Sequence, residues 1–310
     1  MGTLIGHVAP GFGFILIGLW HLFNHTKLHS LNPKTYASLP WFSSRFFRYI
    51  EPTLIIIGSL ISIAMELFIG PANGQPLDPD WSIPSNHLHN FEHSSISLAF
   101  LTYALFAVIL DRARLPDPGL KHGLTQLAAA VAFGQQLLMF HLHSADHMGV
   151  EGQYHWLLQL VIAVSLGSTI IGIWKPRSFL VSFVRSISIL FQGVWFVTMG
   201  FALWTPGLIP KGCFMNSEDG HWVVRCGDQG SLERAKSLVN IEFSWFLVGM
   251  VFFSMGFYLA VRRWYVDVER EYLGLDEEVE SEDLESQKKL DESESFVHMG
   301  KGFKSLDLER

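Results

Sequence analysis

The segments His87-Leu-His89-Asn-Phe-Glu92-His93 and His141-Leu-His143-Ser-Ala-Asp146-His147 write one pattern, H-L-H-x-x-[DE]-H, twice in a single chain. Residues four apart share a helix face, so His89 pairs with His93 and His143 with His147. Residues two apart point nearly oppositely, so His87 and His141 join these pairs only where a helix ends or unwinds. Gly149 and Gly152 invite unwinding after the second segment, and Glu151 and His155, again four apart, follow. Neutral imidazoles and a few carboxylates in one layer are the donor set of Zn²⁺ or another borderline divalent ion. The expected ligands are His7, His89, His93, His141, His143, His147 and His155. Glu66 and Glu151 are the carboxylates placed to act as general base beside such an ion. Axial haem ligation is the second cofactor reading, disfavoured by the dense clustering. The plain structural alternative is a hydrogen-bonded polar network. His21, His25 and His29 also repeat every four residues, but with no acidic partner close in sequence they read as an interfacial polar face.

These side chains need elements to position them, and the apolar pattern supplies seven. Apolar runs over 4–23, 52–69, 91–110, 124–140, 156–174, 179–204 and 241–261 each approach the roughly 20 residues that cross a bilayer core. The fold class expected is therefore all-α, a polytopic seven-helix membrane bundle over residues 1–264. Loops one, three and five and the segment after the last run carry Lys and Arg, whereas the second and fourth loops carry none. The positive-inside rule then puts the N-terminus in the lumen or outside, and the C-terminus in the cytosol. His7, His93, His141 and His155 fall on the lumenal side of that arrangement. Cys213 and Cys226 lie in a lumenal loop, 205–240, where a disulfide between them is expected, two free thiols being the alternative.

Composition agrees. The 310 residues are 49% apolar and 16% charged, and the net charge of −7 is unevenly spread. The tail 265–310 holds 15 acidic against 6 basic residues, leaving the rest of the chain near neutral. Soluble enzymes, nucleic-acid binders and wholly disordered chains are poor fits. The tail itself reads as a solvated, mostly disordered cytosolic segment, helical at most at its start. Its Tyr265–Val268 and Tyr272–Leu275 fit the tyrosine pattern of sorting signals, so sorting partners are expected there. Gly193 with Gly200, or Gly249 with Gly256, offer small-residue contacts for a homodimer.

Gly6-His7-Val-Ala-Pro10-Gly11, Glu66, Glu92-His93-Ser94, His141-Leu-His143, Glu151 and His155 together resemble the transmembrane protein 45 family, in a plant-type form. The likeness runs from the N-terminus through the seventh run and excludes the tail. It implies a multi-span, seven-helix protein of endomembranes (Golgi, endosome or vacuole) or the plasma membrane, without an established reaction, some members being linked to virus response. It carries His7, Glu66, His93, His141, His143, Glu151 and His155 as the shared polar set.

Three function classes follow. A lumenal zinc site with Glu66 or Glu151 as base suits a metal-dependent hydrolase acting on a membrane lipid. The same layer suits a transporter or sensor of metal or protons, with Gln126, Gln135, Gln136, Gln192, Glu51 and His21 as a thin polar trail across the bundle. A non-enzymatic trafficking or defence-related scaffold with a structural metal is the third. Nothing in the chain reads as a nucleotide-binding or nucleophile motif.

Overall fold

The computed structural model describes residues 3–70, 74–113, 115–142, 149–218 and 221–302. Seven of its helices are long and apolar enough to cross a membrane. They are α1 (Leu4–Leu31), α2 (Ile50–Ala64), α3 (Leu88–Arg112), α4 (Pro118–Leu142), α5 (Gly149–Trp174), α6 (Phe179–Trp204) and α7 (Gln229–Gly302). A π-helical stretch, Met65–Ile69, lengthens α2 to span size. Several helices outrun the apolar runs at their polar ends, because helical hydrogen bonding continues where hydropathy stops. Those extra turns carry His25 and His29 on α1, His89 and Asn90 on α3, His141 on α4, and Glu151 and His155 on α5.

Local chemistry sets several ends. Thr3 caps α1 by accepting the N–H of Gly6, and Ser178 caps α6 by accepting that of Val181. A 3-10 turn, Ser85–His87, leads into α3, and Gly149 opens α5 at φ +70°, a left-handed conformation that glycine adopts freely. Gly152, expected as a point of unwinding, instead sits within α5.

The helices pack in the order α2, α3, α4, α5, α6, α1, and α1 lies most extensively on α6. That contact is made by glycine. A Cβ on Gly18 would run into the backbone nitrogen of Leu190, and one on Gly193 would stand 2.5 Å from that of Ile15. A Cβ on Gly200 would meet His7 at 3.1 Å. Gly193 and Gly200 thus join α1 to α6 within one chain and are not available for a dimer; no side chain crowds Gly249 or Gly256. Helix α7 joins through Phe243, whose ring packs on Trp195 of α6 at 4.9 Å, and through Glu242, which accepts the hydroxyl of Tyr154 at 2.6 Å.

The polarity is that of a protein solvated by lipid. Leu54, Ile57, Phe106, Val131, Leu138 and Phe252 face outward, while Gln126, Gln136, Gln192, His25 and Arg185 are buried among the helices.

Between α6 and α7 the chain forms a hairpin, β1 (Cys213–Glu218) with β2 (His221–Cys226), antiparallel with Cys213 opposite Cys226. A disulfide joins the two cysteines. The chain divides into two units, Met1–Leu259 and Ala260–Arg310. In the second, α7 continues as far as Gly302.

Candidate functional site

Antiparallel neighbours bring the expected residues to one end of the bundle, as two groups. The first lies on α1, α4, α5 and α6. The rings of His7 and His155 are 5.8 Å apart, both buried, and His155 also stacks on Phe140. The Nδ1 of His7 lies 3.0 Å from the carbonyl oxygen of Thr3, and that of His155 lies 3.0 Å from the carbonyl oxygen of Glu151. His141 points its Nδ1 at Oε1 of Gln159, 3.3 Å away; the Gln159 amide is oriented by donating to the carbonyl of Phe140. A carbonyl oxygen only accepts, so in all three histidines Nδ1 carries a proton, which gives Nε2 the lone pair whenever the ring is neutral. Gln159 stands one turn beyond His155, which puts His141 beside the same face of α5.

The second group lies on α3 and the π-helical end of α2. Glu66 accepts the side-chain amide of Asn90 at 2.8 Å and meets Nδ1 of His93 at 3.4 Å. His89 lies one turn from His93, the rings 6.3 Å apart. Glu66 lies on the π turn and is buried. His87 turns away, its Nδ1 3.4 Å from the carbonyl oxygen of Pro76. His143 and His147 lie outside the described residues. Among the described residues, no three His, Cys, Asp or Glu side chains group closely enough to hold a metal ion.

The hairpin is fastened to this end. Trp204 stacks on His7 and donates its indole N–H to the carbonyl of Trp222 at 3.3 Å. Arg225 binds Glu218 through two nitrogens, and its guanidinium would stand 3.6 Å from a Cβ on Gly149 at the head of α5. The Arg225 guanidinium holds the carboxyl of Glu218 below the usual glutamate range. In return that carboxylate raises Arg225, to which Glu151 adds a smaller push.

The opposite end holds a network of which the sequence showed His21, Glu51 and Gln126 as a polar trail and His25 as part of a polar face, but not Arg185 at its centre. His21 donates from Nε2 to Glu51 at 2.7 Å, and Glu51 also accepts the backbone N–H of Phe42 at 2.9 Å. The acidic partner that the α1 histidines lack nearby in sequence thus comes from α2, thirty residues on. Arg185, 4% exposed within α6, donates to Oε1 of Gln126 at 2.7 Å and to Nε2 of His25 at 3.3 Å. His25 therefore carries its proton on Nδ1 and donates it to the hydroxyl of Tyr36 at 2.8 Å. The available signal was Arg185 itself, the one charged residue of a 26-residue membrane-spanning helix.

Residues 122–259 match the model of DUF716, a family of unknown function. The DUF716 match takes in α4 from His122, α5, α6, the hairpin and α7 as far as Leu259, and with them Gln126, His141, Glu151, His155 and Arg185. His7, Glu66 and His93 precede it. The chain is also 26% identical to mouse transmembrane epididymal protein 1A over 220 residues, which is 66% of this chain and 68% of that protein. With its seven spans, the chain is a multi-pass integral membrane protein similar to DUF716 proteins.

Proposed function

We propose that this membrane protein binds a divalent cation, zinc by the chemistry of its donors, in the histidine layer at the His7 end. One observation carries the reading: the shared tautomer of His7, His141 and His155, each with Nδ1 on a carbonyl oxygen. Metal-ligating histidines are held in this way by the groups behind them, which orients the ring and raises the basicity of the other nitrogen. His143 and His147 are the further ligands proposed, and His89 and His93 with Glu66 make a second donor group across the layer. A bound ion there would polarise a substrate oxygen and bring the pKa of water toward about 7. Glu151, one turn before His155, is the proposed general base, and the bond cleaved is one in a membrane lipid. Kinship with the transmembrane protein 45 proteins, an endomembrane or plasma-membrane address, and a lumenal N-terminus belong to the same proposal.

A second reading, transport of the cation or of protons, is favoured by the buried polar side chains between the two ends. Gln192 donates to Ser165 at 2.6 Å and Ser165 to Ser188 at 2.8 Å; Ser188 in turn donates to the carbonyl of Arg185. Elemental analysis of detergent-purified protein tests the first reading. Zinc near one ion per chain, lost in a His7→Ala/His155→Ala variant that stays folded, supports it. Zinc-free, folded wild type overturns it. Zinc uptake into sealed liposomes then separates transport from hydrolysis.

A further inference from the structure

The guanidinium of Arg185 is buried without a carboxylate partner among the described residues. Its hydrogen bonds go to three neutral acceptors: Gln126, His25 and the carbonyl of Leu39. The nearby carboxylate, Glu51, is already engaged by His21 and the N–H of Phe42. His25, accepting from Arg185, is a neutral ring and brings no negative charge. A buried cation with only neutral partners is costly, so the fold has reason to offer it an anion.

A second, independent observation points the same way. Three polar nitrogens around Arg185 are buried and make no hydrogen bond: Nε2 of Gln126, Nδ1 of His21 and Nε2 of His122. Gln126 and His21 are themselves 2% and 4% exposed. Gln126 is the residue whose oxygen Arg185 holds, so its N–H₂ donor is fixed beside the guanidinium. His122 lies one turn before Gln126 on α4, within electrostatic reach of Arg185. His21 lies one turn before His25, the rings 5.7 Å apart. Helices α1, α4 and α6 thus converge a fixed positive charge and an unpartnered amide donor, with two imidazoles beside them, and the charge and the amide are the donors that select oxyanions and reject cations.

We propose that this cluster is a binding site for an oxyanion, a phosphate or carboxylate group, with Arg185 as its charge and Gln126 as its second donor. The site is separate from the histidine layer at the His7 end and does not depend on it. The ligand is either a free ion or the headgroup of an acidic lipid.

The test uses full-length protein in nanodiscs. One arm titrates inorganic phosphate against phosphatidylcholine discs; the other replaces part of that lipid with phosphatidate, and both follow the thermal transition. Phosphate alone raising the transition identifies a free ion, and phosphatidate alone a headgroup. Gln126→Glu sets a carboxylate against Arg185, so it is expected to raise the basal transition and to weaken anion binding at least about tenfold. Arg185→Lys keeps the charge but loses the planar fork, and is expected to weaken binding about tenfold as well. No shift in wild type in either arm overturns the proposal, as does undiminished binding in a folded variant.

Discussion

The indole of Trp204 lies on the imidazole of His7, ring centroids 4.5 Å apart and planes 29° apart, while its N–H reaches the carbonyl of Trp222. The hairpin closed by Cys213 and Cys226 is thereby coupled to a histidine of the candidate metal layer. Removing the disulfide, whose cysteines stand thirteen positions apart in sequence, is expected to cost about 3 kcal/mol by loop entropy. A Cys213→Ser/Cys226→Ser variant should melt earlier than wild type, and wild type in reductant should match the variant. Identical transitions in all three samples would show that the hairpin bears no load.

Gln159 holds His141 in its tautomer without belonging to the proposed ligand set. Gln159→Leu is therefore expected to fold normally and lose zinc affinity by about 10-fold, the lower end for loss of an orienting partner. Competition with a chromogenic chelator measures it. Unchanged affinity would remove His141 from the site.

The glycines of α1 and α6 separate packing within the chain from association between chains. Gly18→Ala and Gly193→Ala each drive a Cβ into facing backbone, and each is expected to destabilise by about 1–3 kcal/mol. Gly249→Ala and Gly256→Ala meet nothing within 4 Å and are expected to leave the monomer unchanged. Thermal unfolding in detergent gives the first comparison. Crosslinking of the α7 variants asks whether that face binds a second copy.

Tyr36 sits in the loop between α1 and α2, and burial pushes its phenol up to about 12. Folded Tyr36 keeps its proton while an unfolded tyrosine loses it near 10, so the folded state binds more protons between those values. Stability from this group is complete below about pH 10 and declines as the pH rises toward 12. Wild type should lose stability more steeply than Tyr36→Phe across that window. Parallel slopes, read from chemical denaturation at each pH, would contradict the burial argument.

What the sequence determined by itself was what composition and period can carry. Seven apolar runs must become helices, because a backbone in lipid has to satisfy its own hydrogen bonds. The paired Cys213 and Cys226 and the acidic tail are likewise visible in the residue order. Helical spacing places His89 with His93, since that relation stays within one helix. Contacts between helices have no such local signal. Only the tertiary structure brings Glu51 to His21, His7 to His155, and Gln126 and His25 to Arg185, across separations of 30 to 160 residues. Glycines that read equally well as dimer contacts were assigned by packing, because whether a bare backbone faces lipid or a neighbouring helix depends on where that helix stands. The histidine repeat drew attention to one end of the bundle. The buried charge of Arg185 became meaningful only once the helices around it were in place.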